Sequence, residues 1–410
     1  MWEAGDFTAE EWTTIQTQLD TLKVFAQDSE KSGREWSLIT LETLEFLASL
    51  PESVRERLAA QKYYNFSVES PAPRGPAGTK KTKIISADLD TFKAGQILGH
   101  AKSKPVLINF ANEWDAGGGW LSGMWGAQEE CLMRRSSLYL SLWPLRRPDD
   151  ELWRRSPPNR GPSGTWIPDL DHKRPVAYRQ LGFGEGGERV ILPHLEERPG
   201  DDQTDLRGNE EAMKILKRVD VPRAYTNDKD GFPLSEAGVV YTPSLLVFRS
   251  PDTLSPDGKI TGSKAYPPWT TSLLSVAALD LRPERGNQGA VYGYSVGSTS
   301  PSEPYLEVTR EKMRSVLYAA VQGGHDSIVL GALGCGVFAN SPEVIAMEWR
   351  KLLEPGGEFG NSFSVVVFAI TFSTKNFRAF AEVFGELGPC IGDGSGKADH
   401  EAEFTAHLRA

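Results

Sequence analysis

From residue 83 onward the chain repeats one alternation: a short, nearly continuous apolar run, then a segment of helical length. "KIISAD" precedes "LDTFKAGQILGHAKS", and "PVLINFA" precedes a glycine-rich loop and a helix expected over about 126–142. "SIVLGAL" precedes "SPEVIAMEWRKLL", and "FSVVVFAITF" precedes "KNFRAFAEVFGEL". Apolar residues at successive positions, rather than at every second one, mark strands covered on both faces. Further strands are read around 238–249 and 272–278, and a long helix over about 304–323. The alternation commits the chain to an α/β fold, a mixed sheet with helices on both faces.

Two regions depart from this rhythm. Residues 9–60 are helical in pattern, with Trp12, Ile15, Leu19, Leu22 and Ala26 on one stripe. They read as a helical cap on the main domain, or else as a dimerisation or partner helix. Residues 67–82 are rich in Pro, Gly and Lys and read as a linker. The expected organisation is an N-terminal helical extension over 1–66, the linker, a main domain over 83–390 and a tail over 391–410. A long insertion, about 144–236, interrupts the main domain and carries little periodicity, as a functional lid or a partly disordered segment would. Its basic run, Arg146, Arg147, Arg154, Arg155 and Arg160, is either a solvated loop or a track for further phosphates of a polymeric ligand.

A net charge of -10 argues against a general nucleic-acid binder, because phosphate backbones require an excess of Lys and Arg. Cys131, Cys335 and Cys390 form no CxxC, so no zinc site is expected, and their odd, low count suits a reducing compartment. The N-terminus lacks the basic and apolar regions of a signal peptide, and no run reaches the ~18 apolar residues of a membrane span. A soluble nuclear or cytoplasmic protein is expected.

Two glycine-containing loops carry the chemistry. In "NFANEWDAGGGWLSGMWGAQEE" a buried-type strand ends near Asn112, and Gly117, Gly118 and Gly119 follow. An eight-residue spacer then leads to Gln128, Glu129 and Glu130 at a helix start. The glycines let main chain approach a ligand where side chains would collide. The glutamates could be a simple complement to the helix dipole. Adjacent helical residues point about 100° apart, so at most one faces a given reacting atom. In "GALGCGVFANSPEV" Gly331, Gly334 and Gly336 let main-chain N–H groups converge, Asn340 or Ser341 can cap the next helix, and Pro342 suits its first turn. That is either a tight turn or an anion cradle. Both loops follow buried strands, at the sheet edge where open α/β folds bind ligands. A diphosphate cradle beside a carboxylate pair points to a nucleotide sugar and to chemistry at an anomeric carbon.

These residues resemble a known family. "NFAN" followed by "GGGWLSGMWGAQEE" is similar to the signature of macrodomain-type poly(ADP-ribose) glycohydrolases of the compact microbial type, and "VLGALGCGVFAN" is similar to their diphosphate-binding loop. The resemblance covers about 80–390 apart from the insertion. It implies a macrodomain, a mixed sheet sandwiched between helices, that cleaves ribose–ribose O-glycosidic bonds of poly(ADP-ribose) and releases ADP-ribose. By that resemblance Glu130 is the catalytic general acid/base, and Glu129 holds the ribose hydroxyls. Asn112 orients the ribose, and Gly117, Gly118 and Gly119 lie near the diphosphate. Gln128, Gly334, Cys335, Gly336, Val337 and Phe338 are further substrate-binding positions. No cofactor and no metal is implied. The expected partners are poly(ADP-ribose) or ADP-ribosylated proteins, with neither DNA nor membrane, and a monomer is expected. Hydrolysis of mono-ADP-ribosyl or O-acetyl-ADP-ribose adducts, or ADP-ribose binding without turnover, are the alternatives. Trp114, Asp115 and Ala116 stand where the family often has His or Pro before the glycines, and could reshape the loop entrance.

Overall fold

The computed structural model describes residues 7–29, 36–65, 82–113, 116–122, 127–142, 237–251, 265–282, 288–294, 300–371, 373–384 and 390–391, with a few isolated positions besides. Nearly all of the 144–236 insertion and its arginine run, Trp114, Asp115, most of the linker and most of the tail lie outside the described residues.

Three helices open the chain: α1 (Ala9–Ser29), α2 (Trp36–Ser49) and α3 (Glu52–Leu58). Next come β1 (Lys62–Asn65), β2 (Lys83–Ala87), α4 (Thr91–His100), β3 (Pro105–Phe110), α5 (Gln128–Arg135) and α6 (Leu138–Leu142). After the insertion follow β4 (Gly238–Arg249), β5 (Ala265–Val276), a short helical turn Gln288–Val291, and α7 (Glu303–Gln322). The chain continues through β6 (Ser327–Leu330), α8 (Pro342–Leu353), β7 (Val365–Ala369), α9 (Thr374–Phe384) and β8 (Cys390–Ile391).

The strands form one sheet in the order β1-β4-β5-β3-β6-β7-β2-β8. The β1/β4 and β4/β5 pairs are antiparallel; the rest are parallel. This is the expected mixed sheet between helical layers. Its two faces follow from the two-residue period of a strand. Ile84, Val106, Ile108, Ile328 and Val366 pack in one core with residues of α7, α8 and α9. Ile85, Leu107, Val329 and Val367 pack in the other with residues of α1 to α6.

Several details differ from the sequence expectations. Residues 62–65, counted with the N-terminal extension, are an edge strand of the main sheet, and α1, α2 and α3 share its core. The helix expected over 126–142 is two helices. Ser136 between them is extended, and bridges Val247. Its hydroxyl donates to the Leu132 carbonyl at 2.7 Å and accepts from the Leu138 N–H at 3.3 Å. Serine offers the main chain such alternatives to helix, and pairing with β4 takes them up. The two runs around 238–249 are a single strand through Pro243, with a register shift between Thr242 and Leu245 that accommodates the proline. β5 starts seven residues before the expected 272, because Pro267 and Pro268 mask its onset.

Candidate active site

A cleft of ≈ 740 Å³ lies at the carboxyl ends of the parallel strands. It is bounded by residues 89–91 after β2, Phe110 and Ala111 at the end of β3, Ala278 after β5, the loop after β6, and residues 369–371 at the end of β7. The volume is in the range that takes a nucleotide-sized ligand. Gln128, Cys131, Leu132 and Arg135 of α5 form one wall.

Glu129 and Glu130 face around α5 from that wall, toward the glycine turn, and are only 2% and 4% exposed. Glu129 is held by three donors. The Asn112 N–H reaches its Oε2 at 2.7 Å, the Gly117 N–H its Oε1 at 3.2 Å, and Asn109 Nδ2 the same Oε1 at 3.3 Å. Glu130 Oε1 accepts from the Gly119 N–H at 2.9 Å. Glu130 Oε2 is buried and has no hydrogen-bond partner. Burial pushes both carboxyls above the usual carboxylate range, Glu129 well above it. Repulsion from Glu130 adds to the rise at Glu129, against which its three donors act. At Glu130 the Gly119 N–H, its own main-chain N–H and, less, the Arg134 charge oppose it. Two carboxyls this close and this dry do not both ionise readily.

At Gly118 the glycine run makes room for these carboxylates. Gly117 and Gly118 have φ of 86° and 59°, in the left-handed region. A Cβ on Gly118 would stand 2.5 Å from Glu130 Oε1 and 3.0 Å from Glu129 Oε2. A side chain there would occupy the space of the acids, while bare main chain supplies the N–H groups that hold them.

Gln128 lines the cleft, but its amide is already engaged. Its Oε1 accepts from the Phe110 N–H at 2.7 Å, and its Nε2 donates to the Ile108 carbonyl at 3.0 Å and to Thr91 Oγ1 at 2.9 Å. It pins the start of α5 to the end of β3, so its substrate-binding role narrows to contact through its side-chain surface. Arg135, seven residues on and on the same face, pins the other end. Its Nη1 meets Asp90 Oδ1 at 3.1 Å and its guanidinium lies 4.9 Å from the Phe92 ring centre. Asp90 also caps α4 through the Phe92 and Lys93 N–H groups.

The loop after β6 closes the opposite side. Gly334 has φ of 72°, and a Cβ on it would stand 2.5 Å from Ala278 Cβ and 2.6 Å from Asn340 Nδ2. At Gly336 a Cβ would meet nothing within 4 Å; that glycine leaves open space on the cleft side. Val337 is exposed, and the half-buried Phe338 ring carries the Arg282 guanidinium 5.4 Å from its centre. Of the two candidate caps for α8, Ser341 serves, accepting from the Val344 N–H. Asn340 instead ties the loop down. Its Nδ2 donates to the Leu279 carbonyl at 2.8 Å and the Gly334 carbonyl at 3.1 Å, and its Oδ1 accepts from the Tyr305 hydroxyl at 2.6 Å. The Cys335 thiol donates to the Leu333 carbonyl at 3.5 Å, and burial raises it above the ordinary thiol range. His325 precedes β6 while Cys335 follows it, so the strand separates them and they form no nucleophile–base pair.

The structure thus gathers Asn112, Gly117, Gly118 and Gly119 around Glu129 and Glu130: Asn112 and Gly117 donate to Glu129, Gly119 donates to Glu130, and Gly118 packs against both. Beside them, Gln128, Gly334, Gly336, Val337 and Phe338 line the cleft. Cys335 sits in the cleft loop with its thiol turned to main chain. Sequence reasoning missed Asn109. The available signal was a lone amide inside the apolar run "PVLINFA". Arg135 was missed as well; only its seven-residue spacing from Gln128 pointed to it.

Residues 45–152 match the model of the family described as microbial-type PARG, catalytic domain. Comparison with curated proteins returns no match. Among solved structures, the chain is similar to the poly(ADP-ribose) glycohydrolase of Thermomonospora curvata. The identity is 22% over 85% of this chain and 99% of that one, with a TM-score of 0.50, a likeness of fold. It is also similar to the poly(ADP-ribose) glycohydrolase of Deinococcus radiodurans in complex with ADP-ribose, at 20% identity over 82% of this chain and 98% of that one, with a TM-score of 0.45. Over 45–152, the segment that holds the glycine turn and both glutamates, the chain carries the catalytic-domain pattern of microbial-type poly(ADP-ribose) glycohydrolases, as its signature implies.

Proposed function

We propose that the protein is a poly(ADP-ribose) glycohydrolase with Glu130 as its general acid/base. The observation that carries this reading is Glu130 Oε2. It is a buried carboxyl oxygen with no donor directed at it, in a carboxyl pushed toward its protonated form, beside a nucleotide-sized cleft.

In this reading the cleft receives the ADP-ribosyl unit. The main chain of both glycine loops lies against its diphosphate, and Phe338 lies near the nucleotide. Asn112 and Glu129 orient the ribose. Glu130 gives its proton to the leaving ribose oxygen as the C–O bond at the anomeric carbon breaks. Water adds to the oxocarbenium-like carbon and returns a proton to Glu130, which restores the acid. One principal carboxyl acts here, unlike the two-carboxylate arrangement of most glycosidases. The hydrogen-bond pattern supports that division of labour: three donors fix the Glu129 carboxyl in place, although burial and the Glu130 charge raise it further than Glu130, while Glu130 keeps one oxygen bare for the leaving group. The substrate is expected to be the polymer or ADP-ribosylated protein. The protein is expected to be a soluble nuclear or cytoplasmic monomer. The 83–390 region would form the catalytic unit.

The test is incubation with poly(ADP-ribose), identification of products, and comparison with Glu130→Gln. ADP-ribose released by the wild type, with a loss in kcat on the order of a hundredfold or more in the variant, is expected for removal of a general acid. Near-wild-type cleavage by the variant would remove Glu130 from the role. Release only from mono-modified protein would replace the polymer as substrate.

A further inference from the structure

Asn109 is fully buried in the fifth position of β3, within an otherwise apolar run. Its side chain lies on the α5 side of the sheet, as Leu107 does two residues before. Both amide hydrogens are used. Nδ2 donates to Glu129 Oε1 at 3.3 Å and to Ser275 Oγ at 3.1 Å, across the register that pairs Asn109 with Ser275. Its Oδ1 is buried without a partner. An orphaned buried acceptor loses its hydration with nothing to replace it. Asparagine is also among the residues depleted in strand interiors. On packing grounds an aliphatic side chain would serve this position better. What an aliphatic residue cannot do is donate to a carboxylate.

We propose that Asn109 is a positioning residue for the glycohydrolase reaction: its donor fixes the Glu129 carboxyl against the ribose side of the site and favours that carboxyl's charged form, against the burial and the neighbouring Glu130 that oppose it. The proposal rests on the functional reading above. A donor favours the charged form of the group it reaches. Asn109 is the one side chain among the three donors to Glu129; the other two are main-chain N–H groups of the loop. It also comes from within a strand of the sheet, whereas Asn112 follows that strand and Gly117 lies in the glycine turn. The charged and titratable groups facing this point among the described residues are Glu129, Glu130 and Arg134, all on α5. β5 presents the neutral Ser275 hydroxyl.

The deciding experiment compares Asn109→Asp and Asn109→Ser with wild type. Aspartate keeps the shape but replaces the donor by a third acid; serine keeps a small donor in a smaller side chain. Asn109→Asp is expected to lower kcat at least about tenfold with KM little changed, and to move the acid limb of the kcat profile up by about one pH unit. The sign follows from the charge: an ionised Glu129 becomes harder to form, so it protonates at higher pH. Asn109→Ser is expected to shift the limb less. A profile that keeps its position in both folded variants, whatever the loss of rate, would overturn the proposal, because a merely structural residue lowers activity without moving the limb. The carboxyl titration of Glu129 and Glu130 by 13C NMR reads the same shift without turnover. If the wild type releases no ADP-ribose, the activity reading fails, and the NMR titration still decides the role of Asn109.

Discussion

Replacing Gly118 by alanine separates stability from catalysis at this site. Gly118 holds φ of 59°, where an L side chain costs ~1–2 kcal/mol. The new Cβ would start 2.5 Å from Glu130 Oε1, while ordinary contact begins at 3.4 Å. The carboxyl must therefore withdraw by roughly 1 Å, a misplacement that can cost on the order of a hundredfold in rate. Withdrawal also weakens the bond from the Gly119 N–H, which shifts the balance further toward the protonated acid without aiming it. The expected variant is folded, less stable by ~1–3 kcal/mol, and down about a hundredfold in kcat. Urea unfolding reads the first quantity. Initial rates of ADP-ribose release at saturating polymer read the second. A folded variant whose kcat stays within about threefold of wild type would show that the glycine does not make room for an aligned Glu130.

Three further outcomes follow from the same geometry. Gly336→Ala meets no neighbour and has no positive φ, so its unfolding midpoint should match wild type; if that space receives ligand, KM should rise with kcat kept. Glu130→Gln should stabilise the protein at neutral pH by about 1 kcal/mol for each unit of pKa elevation it removes. The folded-state value lies above the ordinary 4.5, so wild-type stability falls as pH rises from 4.5 through it; the variant should show a flatter stability profile over that window. Tyr305→Phe removes the donor to Asn340 Oδ1 inside a fully buried pair. It should cost about 1–2 kcal/mol and raise KM, since Asn340 ties down the loop after β6.

The fold class, and the position of the glycine turn and glutamates at the strand ends, were legible in the sequence because both rest on local patterns. Continuous apolar runs alternating with amphipathic segments need no partner to be recognised, and they led to β2, β3, β6, β7 and the helices after them. The glycines and glutamates likewise announced themselves by spacing. Less legible were elements stabilised only by their neighbours. β1 is a four-residue, largely polar strand that exists because β4 offers it an edge. The onset of β5 hides behind two prolines, and the break at Ser136 depends on a strand more than a hundred residues away.

What the tertiary structure decided is the division of roles inside the motif. By sequence, Gln128, Glu129 and Glu130 are three consecutive polar residues at a helix start. In the fold, the 100° step between them sends each to a different surface. Gln128 is spent on β3 and Thr91, Glu129 meets three donors, and Glu130 is left with one oxygen bare. The donors come from β3, from its end and from the glycine turn, and only folding brings their N–H groups within 3.3 Å of the carboxyls. Residue type and spacing determined that the chain has an α/β sheet with an acid pair beside a glycine turn. Which acid is held charged, and which can keep a proton, depends on burial and on hydrogen bonds from distant segments. Those are properties of packing, and they come into being only when the sheet is assembled.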